Sequence, residues 1–328
     1  MQNWILTGIA AGLAAAAMQG VALSLSLVTI LIFYLSPLPL FLAGFSRGWA
    51  SALLGAVVMT VALAFLTGSF AFAIMALVSA GLAPVVASML SMISRSASTG
   101  SKASESSDEG EARTDDREWY PEGRLVLWLA AIAAVVTGIS VLVMGADIET
   151  FKAFLTKQTT PILDAFEKQM PPGQAPFPRE NFMNMMVTAL PVIASTIWLL
   201  ATVTSMRIAI VLLAKNQRSL RPWALFDRLS FPSNSVIALL GALAAAYFLS
   251  GVPKLLALGA VGAFVTAFTL LGLAVVHHFL AKNSARPLLL GLLYSGLLLF
   301  SWLLAVPLTV LGLIDLNFNF RKSKTNQT

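Results

Sequence analysis

The sequence predicts an all-α fold, a polytopic transmembrane helix bundle of about 8–10 spans. Three observations predict it. First, 58% of the 328 residues are apolar and only 11% are charged. An ordinary soluble domain carries about 25% charged residues. The mean hydropathy of +0.83 leaves too little polar surface for a soluble chain of this length. Second, nine apolar runs stand out: 5–21, 24–44, 50–67, 70–92, 125–144, 184–213, 234–250, 255–280 and 287–314. At about 1.5 Å of rise per residue, such runs cross a hydrocarbon core of about 30 Å. Third, Lys and Arg are unevenly spread. With the loop after 92 placed inside, interior loops hold twelve of them and exterior loops five. This bias puts the N-terminus in the cytoplasm.

Taken in order, residues 1–94 are N-terminal membrane helices. Residues 1–4 carry no Lys or Arg, so the first run reads as an uncleaved span rather than a signal peptide. The block 5–44 has no charge and divides near Ala22 and Leu23, with a re-entrant element as the alternative. Residues 95–124 are rich in Ser, Gly and acid, with almost no apolar residues before Trp119. Such a segment cannot bury a core and is expected to be a disordered, acidic cytoplasmic loop. A single span follows at 125–144.

Residues 145–183 form an extracytoplasmic amphipathic segment. Ile148, Phe151, Phe154 and Leu155, then Ile162, Leu163, Phe166 and Met170, recur at helical spacing. Thr160 before Pro161 reads as an N-cap with Pro at the first helical position, and Asp164 is spaced to pair with Lys168. The run PPGQAPFP at 171–178 reads as a stiff connector. Residues 184–320 hold the C-terminal membrane helices, where Pro307 either kinks 287–314 or divides it. The polar tail is 321–328. Nine spans would place Arg321 outside, whereas eight or ten would return it to the inside. Trp4, Trp49, Trp119, Trp128 and Trp223 lie near proposed span ends, as interfacial residues do.

The chemistry is sparse. The chain has no cysteine and no phosphate-binding loop or zinc-protease motif. No catalytic constellation stands out, so an enzyme is not expected, nor a cofactor or metal. His277 and His278 are adjacent, about 100° apart on a helix, and poorly placed to chelate one ion. Arg207 lies roughly 10 Å inside the end of 184–213. An intramembrane charge costs at least about 2.5 kcal/mol unless it snorkels or pairs, with Asp315 and Asp227 as candidate partners. Arg207, His277 and Asp315 are the candidate substrate-binding residues. Gly8 and Gly12, and Gly241 and Ala245, offer small-xxx-small packing faces.

The segments RPWALFDRLSFP (221–232), GLAVVHHFLAKN (272–283) and YSGLLLFSWLLAVPLTVLGLIDLNFNFRK (294–322), with Pro37, Pro39 and GFSRGW nearer the start, resemble the YybS-like family of bacterial predicted membrane proteins. That family has no known function. It is distantly similar to the substrate-binding subunits of energy-coupling-factor transporters. The resemblance carries over Gly272, His277, Asp315 and Arg321 as pattern residues. It implies a bacterial inner-membrane subunit that binds or transports a small solute, with any ATPase or coupling subunit on another chain. Those transporter subunits usually have six spans, fewer than are marked here. The expected partners are membrane lipids, that separate subunit and an unidentified small molecule, without nucleic acid. The alternative is a non-transporting membrane interaction or assembly protein.

Overall fold

The computed structural model describes residues 3–21, 26–96, 117–170, 177–224, 226–318 and 321. They form helices almost throughout. Among them, seven helices are long and apolar enough to cross a membrane, fewer than the nine runs marked in the sequence. The run 5–21 forms a helix of 18 residues that falls below that mark, and 234–250 and the first part of 287–314 yield helices of only 14 residues each. At about 1.5 Å per residue, 14 residues reach only about 21 Å.

The chain divides into two compact units. The first comprises Met1–Ser24, Ser36–Leu125 and Met206–Trp223, and the second Leu25–Leu35, Val126–Ser205 and Ala224–Thr328.

In the first unit, α1 (Asn3–Gly20) packs on α4 (Trp49–Thr67) and α3 (Leu38–Arg47). The Gly8 and Gly12 face permits this close approach. A Cβ on Gly12 would stand 2.4 Å from the Gly55 carbonyl oxygen. Ala11, Ala15, Leu40, Ala56, Met59 and Leu63 fill the seam, and buried Gln19 donates to Ser36 Oγ at 2.8 Å. Before α3, the short α2 (Leu27–Tyr34) belongs to the second unit, and the turn at 35–37 ends on Pro37. Helices α5 (Phe70–Ala76) and α6 (Leu82–Ser91) are joined by a π-helical turn, Leu77–Gly81. There Leu82 N–H donates to the Leu77 carbonyl. This wider turn lies just before Pro84, which has no N–H to give, and the run continues without a break.

At the end of α6 the backbone forms β1 (Ser94–Ser96), which pairs antiparallel with β2 (Arg117–Trp119). The centre of the expected disordered loop, 97–116, lies outside the described residues. Its ends, however, form this ladder, and α7 (Glu122–Met144) already begins within the expected loop. Composition reports what a segment can bury. Backbone pairing between two chain ends needs no apolar side chains, so it leaves no such signal.

In the second unit, α7 is followed by α8 (Ile148–Glu167) and α9 (Arg179–Lys215). The expected break at Thr160 does not occur, and α8 is continuous through Pro161. Its cap is Asp147: the carboxylate accepts from Thr150 N–H at 2.8 Å, and Thr150 Oγ1 accepts from Asp147 N–H at 3.2 Å. Thr160 instead donates to the Thr156 carbonyl at 2.7 Å. Phe151 and Leu155 bury against Val141, Met183, Val187 and Leu255. The segment therefore docks on the helix ends. The connector 171–176 lies outside the described residues. The helices α10 (Ser235–Phe248), α11 (Gly251–Phe279), α12 (Arg286–Leu299) and α13 (Ser301–Phe318) complete the unit. The division in 287–314 falls at Phe300, not at Pro307, which lies inside α13.

Asp164 does not pair with Lys168 in the way its spacing suggests. Arg179 takes it at 2.6 Å and takes both Glu167 oxygens as well, with Nε to Oε1 at 2.8 Å. The two acids also offset a cation at the start of α9, where the helix dipole disfavours one. The Arg179 hydrogen bond holds Glu167 below the usual carboxylate range. A depressed folded pKa stabilises above the unfolded value, about 4.3, and that gain is lost as pH falls through the folded value. Arg179→Ala should therefore speed amide exchange in the last turns of α8 at pH 7. The difference from wild type should close once the pH drops below the carboxylate range. Equal exchange at neutral pH would show the bridge to be energetically idle, as many exposed ion pairs are.

Candidate functional site

Helices α11 and α13 of the second unit touch along small and hydroxyl residues. A Cβ on Gly272 would fall 1.9 Å from the Leu308 carbonyl oxygen, and one on Gly312 would fall 2.5 Å from that of Phe268. Beside this contact, Thr269 and Thr309 share a hydrogen bond of 2.8 Å. Thr266 reaches Thr196 of α9 at 3.1 Å. Such contacts hold helices together in lipid, where apolar packing alone gives no preference for protein over solvent.

This packing brings a polar cluster to one end of the unit. Just before α10, Phe226–Arg228 form a 3-10 turn against α11. Phe226 meets the His277 ring edge-on, with centroids 5.5 Å apart. The next residue, Asp227, accepts Arg321 Nη1 on its carbonyl at 2.9 Å. The end of α11 and the chain beyond α13 therefore lie together. Arg321 shares the end of the 226–228 turn.

Asp315 is 4% exposed. Its Oδ2 accepts both Arg321 Nη2, at 2.6 Å, and Nε, at 3.0 Å. Its Oδ1 is buried without a partner among the described residues, and so is Oδ1 of Asp227. His277 Nε2 and the Tyr294 hydroxyl share a hydrogen bond of 2.9 Å. The arrangement can accept hydrogen bonds at two idle carboxylate oxygens, and the guanidinium between the two aspartates limits the charge it must bury. Among the described residues, no three His, Asp or Glu side chains group to hold a metal.

Arg207 belongs to the first unit, and the cluster that holds His277 and Asp315 to the second. It meets Glu122, the first residue of α7, at 3.4 Å, rather than the expected Asp315 or Asp227. The same carboxylate lies 3.8 Å from Arg221. Arg221 is buried, not a solvated loop cation. Its Nη1 donates to the carbonyls of Ser91, at 3.2 Å, and Tyr120, at 2.9 Å. Its guanidinium stacks over Trp223 at 3.9 Å. Burial pulls its pKa down to about 10, and Glu122 opposes the fall, so it stays charged at neutral pH.

Sequence reasoning missed Tyr294, Glu122 and the hydroxyl ladder. It carried Arg321 toward the site only through a family resemblance, and it offered Asp315 and Asp227 to Arg207, whereas both meet Arg321. A signal existed for Glu122, an acid at the start of an apolar run. None existed for Tyr294, whose role depends on the turn between α11 and α12.

A family described as predicted membrane protein (DUF2232) matches residues 123–316 of the chain. Arg207, Asp227, His277, Tyr294 and Asp315 fall within the match. Neither a curated protein nor a solved structure matches.

Proposed function

The chain belongs to this DUF2232 family of predicted membrane proteins, and we propose that it binds or transports a small solute at the Asp315 cluster. The observation that carries the reading is the idle Oδ1 of Asp315, on a carboxylate only 4% exposed. Ionisable groups within membrane helices are costly and mark substrate or ion paths. A buried acceptor without a partner costs about 1–3 kcal/mol. A ligand with an N–H or O–H donor removes that cost on binding. Asp227 supplies the second acceptor, and His277 with Tyr294 can turn a donor or an acceptor toward the same solute. In this reading the protein is a YybS-like capture subunit of the inner membrane, and a separate chain supplies any ATPase.

The test is a thermal-shift screen of detergent-purified protein against vitamins, nucleobases and metal ions. At least one donor-bearing solute should raise Tm. Asp315→Asn keeps the shape but removes charge, and it should weaken that response by about tenfold, the scale of a charge-assisted hydrogen bond. His277→Ala should weaken it less. Arg207→Ala serves as the comparison, because it disturbs the ion pair of the first unit. An undiminished response in Asp315→Asn would remove the site.

A second reading, assembly with another protein, has its own observation. On α8, outside the membrane-spanning helices, Ile162 is 69% and Phe166 53% exposed. Stable cross-links from this helix to one partner, without any solute response, would favour that reading.

A further inference from the structure

A cleft of about 720 Å³ opens in the first unit, between α1, α3 and the end of α9. The Asp315 cluster belongs to the second unit, so this cleft has no place in the reading above. Its walls are apolar, formed by Leu6, Ala10, Leu42 and Leu213, and Arg47 and Arg218 also line it. Both arginines are exposed. Arg47 is the last residue of α3, and Arg218 follows the last turn of α9. Among the described residues no carboxylate lines the cleft, and neither guanidinium has an ion pair with any of them.

Arg179, Arg207, Arg221 and Arg321 each meet a carboxylate. Arg47 and Arg218 present their charge to a space whose remaining surface is mostly hydrocarbon. A free inorganic anion would use the guanidiniums and leave the apolar walls idle. An apolar ligand would leave two cations at its edge without counter-charge. The species that satisfies both halves has an anionic head and hydrocarbon tails. The volume lies within the usual 300–1,000 Å³ of ligand sites, which fits a glycerophosphate head with the first part of its chains. Basic pockets between membrane helices take anionic lipid heads in this way.

We propose that this cleft is a binding site for an anionic phospholipid, whose phosphate lies between Arg47 and Arg218 and whose acyl chains run along Leu6, Ala10, Leu42 and Leu213. The site would anchor α1 and α3 to the leaflet in which it opens. It makes no use of Asp315, so the two readings stand or fall separately.

The test uses the full-length protein, purified in a mild detergent, washed free of lipid and supplied with phosphatidylglycerol, phosphatidylcholine or inorganic phosphate. Phosphatidylglycerol should raise Tm and appear as a bound adduct in native mass spectrometry. The variant carrying Arg47→Ala and Arg218→Ala should bind it about thirtyfold more weakly, at about 1 kcal/mol for each basic residue near a lipid surface. The variant with lysine at both positions should regain part of that loss. Because both side chains are exposed, the lipid-free Tm should stay near wild type. A second variant, Ala10→Phe, fills the cleft without touching the charges and should also lower lipid binding. Equal responses to phosphatidylglycerol and phosphatidylcholine would overturn the proposal. So would an undiminished response in the double alanine variant, or a Tm gain from inorganic phosphate as large as that from the lipid.

Discussion

Glu122→Ala is expected to destabilise the first unit by about 3 kcal/mol, the lower end for removing one partner of a buried ion pair. Two arginines lose their counter-charge at once, since Glu122 faces Arg207 at 3.4 Å and Arg221 at 3.8 Å. Arg221 cannot escape to solvent, because its side chain is 2% exposed. Its cation already serves the carbonyls of Ser91 and Tyr120, at the end of α6 and the entry to α7. The alanine also removes an anion from the start of α7, a favourable position worth about 0.5 kcal/mol. Glu122→Gln keeps hydrogen-bonding capacity and should lose roughly half as much. Guanidinium unfolding followed by circular dichroism in detergent should rank wild type above the glutamine variant and the glutamine above the alanine. Combining Glu122→Gln with Arg207→Met should cost less than the two single losses together. Equal stability of Glu122→Ala and wild type would mean that solvent or the carbonyls alone meet both charges.

The spans were legible because lipid leaves a backbone one choice. A run such as 50–67 has to satisfy its own hydrogen bonds, and α4 occupies Trp49–Thr67. The ends were harder to read. At α8, the Thr-Pro pair reads as a start, but the helix runs on through Pro161, and the cap is Asp147 rather than Thr160. In 287–314 Pro307 is the visible breaker, yet α13 runs on through it, losing the one bond its missing N–H would make. The actual break at Phe300 has no residue signature and follows from the reversal of the chain. Asp315 was legible as the last polar residue of an apolar run. Its partner was not, since Arg207 and Arg321 look alike in a list of charges. Only the fold decides between them, by bringing Arg321 onto Asp315. The GxxxG pair Gly8 and Gly12 was a correct reading of a close approach, whereas the similar pair at Gly241 was not. A Cβ on Gly241 meets nothing within 4 Å.

That last contrast gives a prediction in which one substitution acts with opposite signs. Gly272→Ala places a methyl 1.9 Å from the Leu308 carbonyl oxygen and 2.7 Å from its carbonyl carbon. The obstacle is backbone, so no rotamer relieves it, and α13 must move away from α11. Overpacking of this kind costs about 1–3 kcal/mol and sometimes more. The movement also separates Thr269 from Thr309, now 2.8 Å apart. It shifts Asp315, one turn beyond Gly312, relative to the turn at 226–228. Loss of the solute response should therefore accompany the fall in Tm, although Gly272 itself offers no polar side chain. Gly241→Ala, in the interior of α10, meets open space. It removes backbone freedom from the unfolded chain and should raise stability by about 0.5–1 kcal/mol. Both variants change one hydrogen to one methyl in an apolar helix, so the chemistry of the substitution is the same in the two. Thermal unfolding of the pair should move in opposite directions about the wild type. A Gly272→Ala protein at least as stable as wild type would mean that α11 and α13 do not approach as closely as their carbonyls require, and the seat of the Asp315 cluster would have to be redrawn.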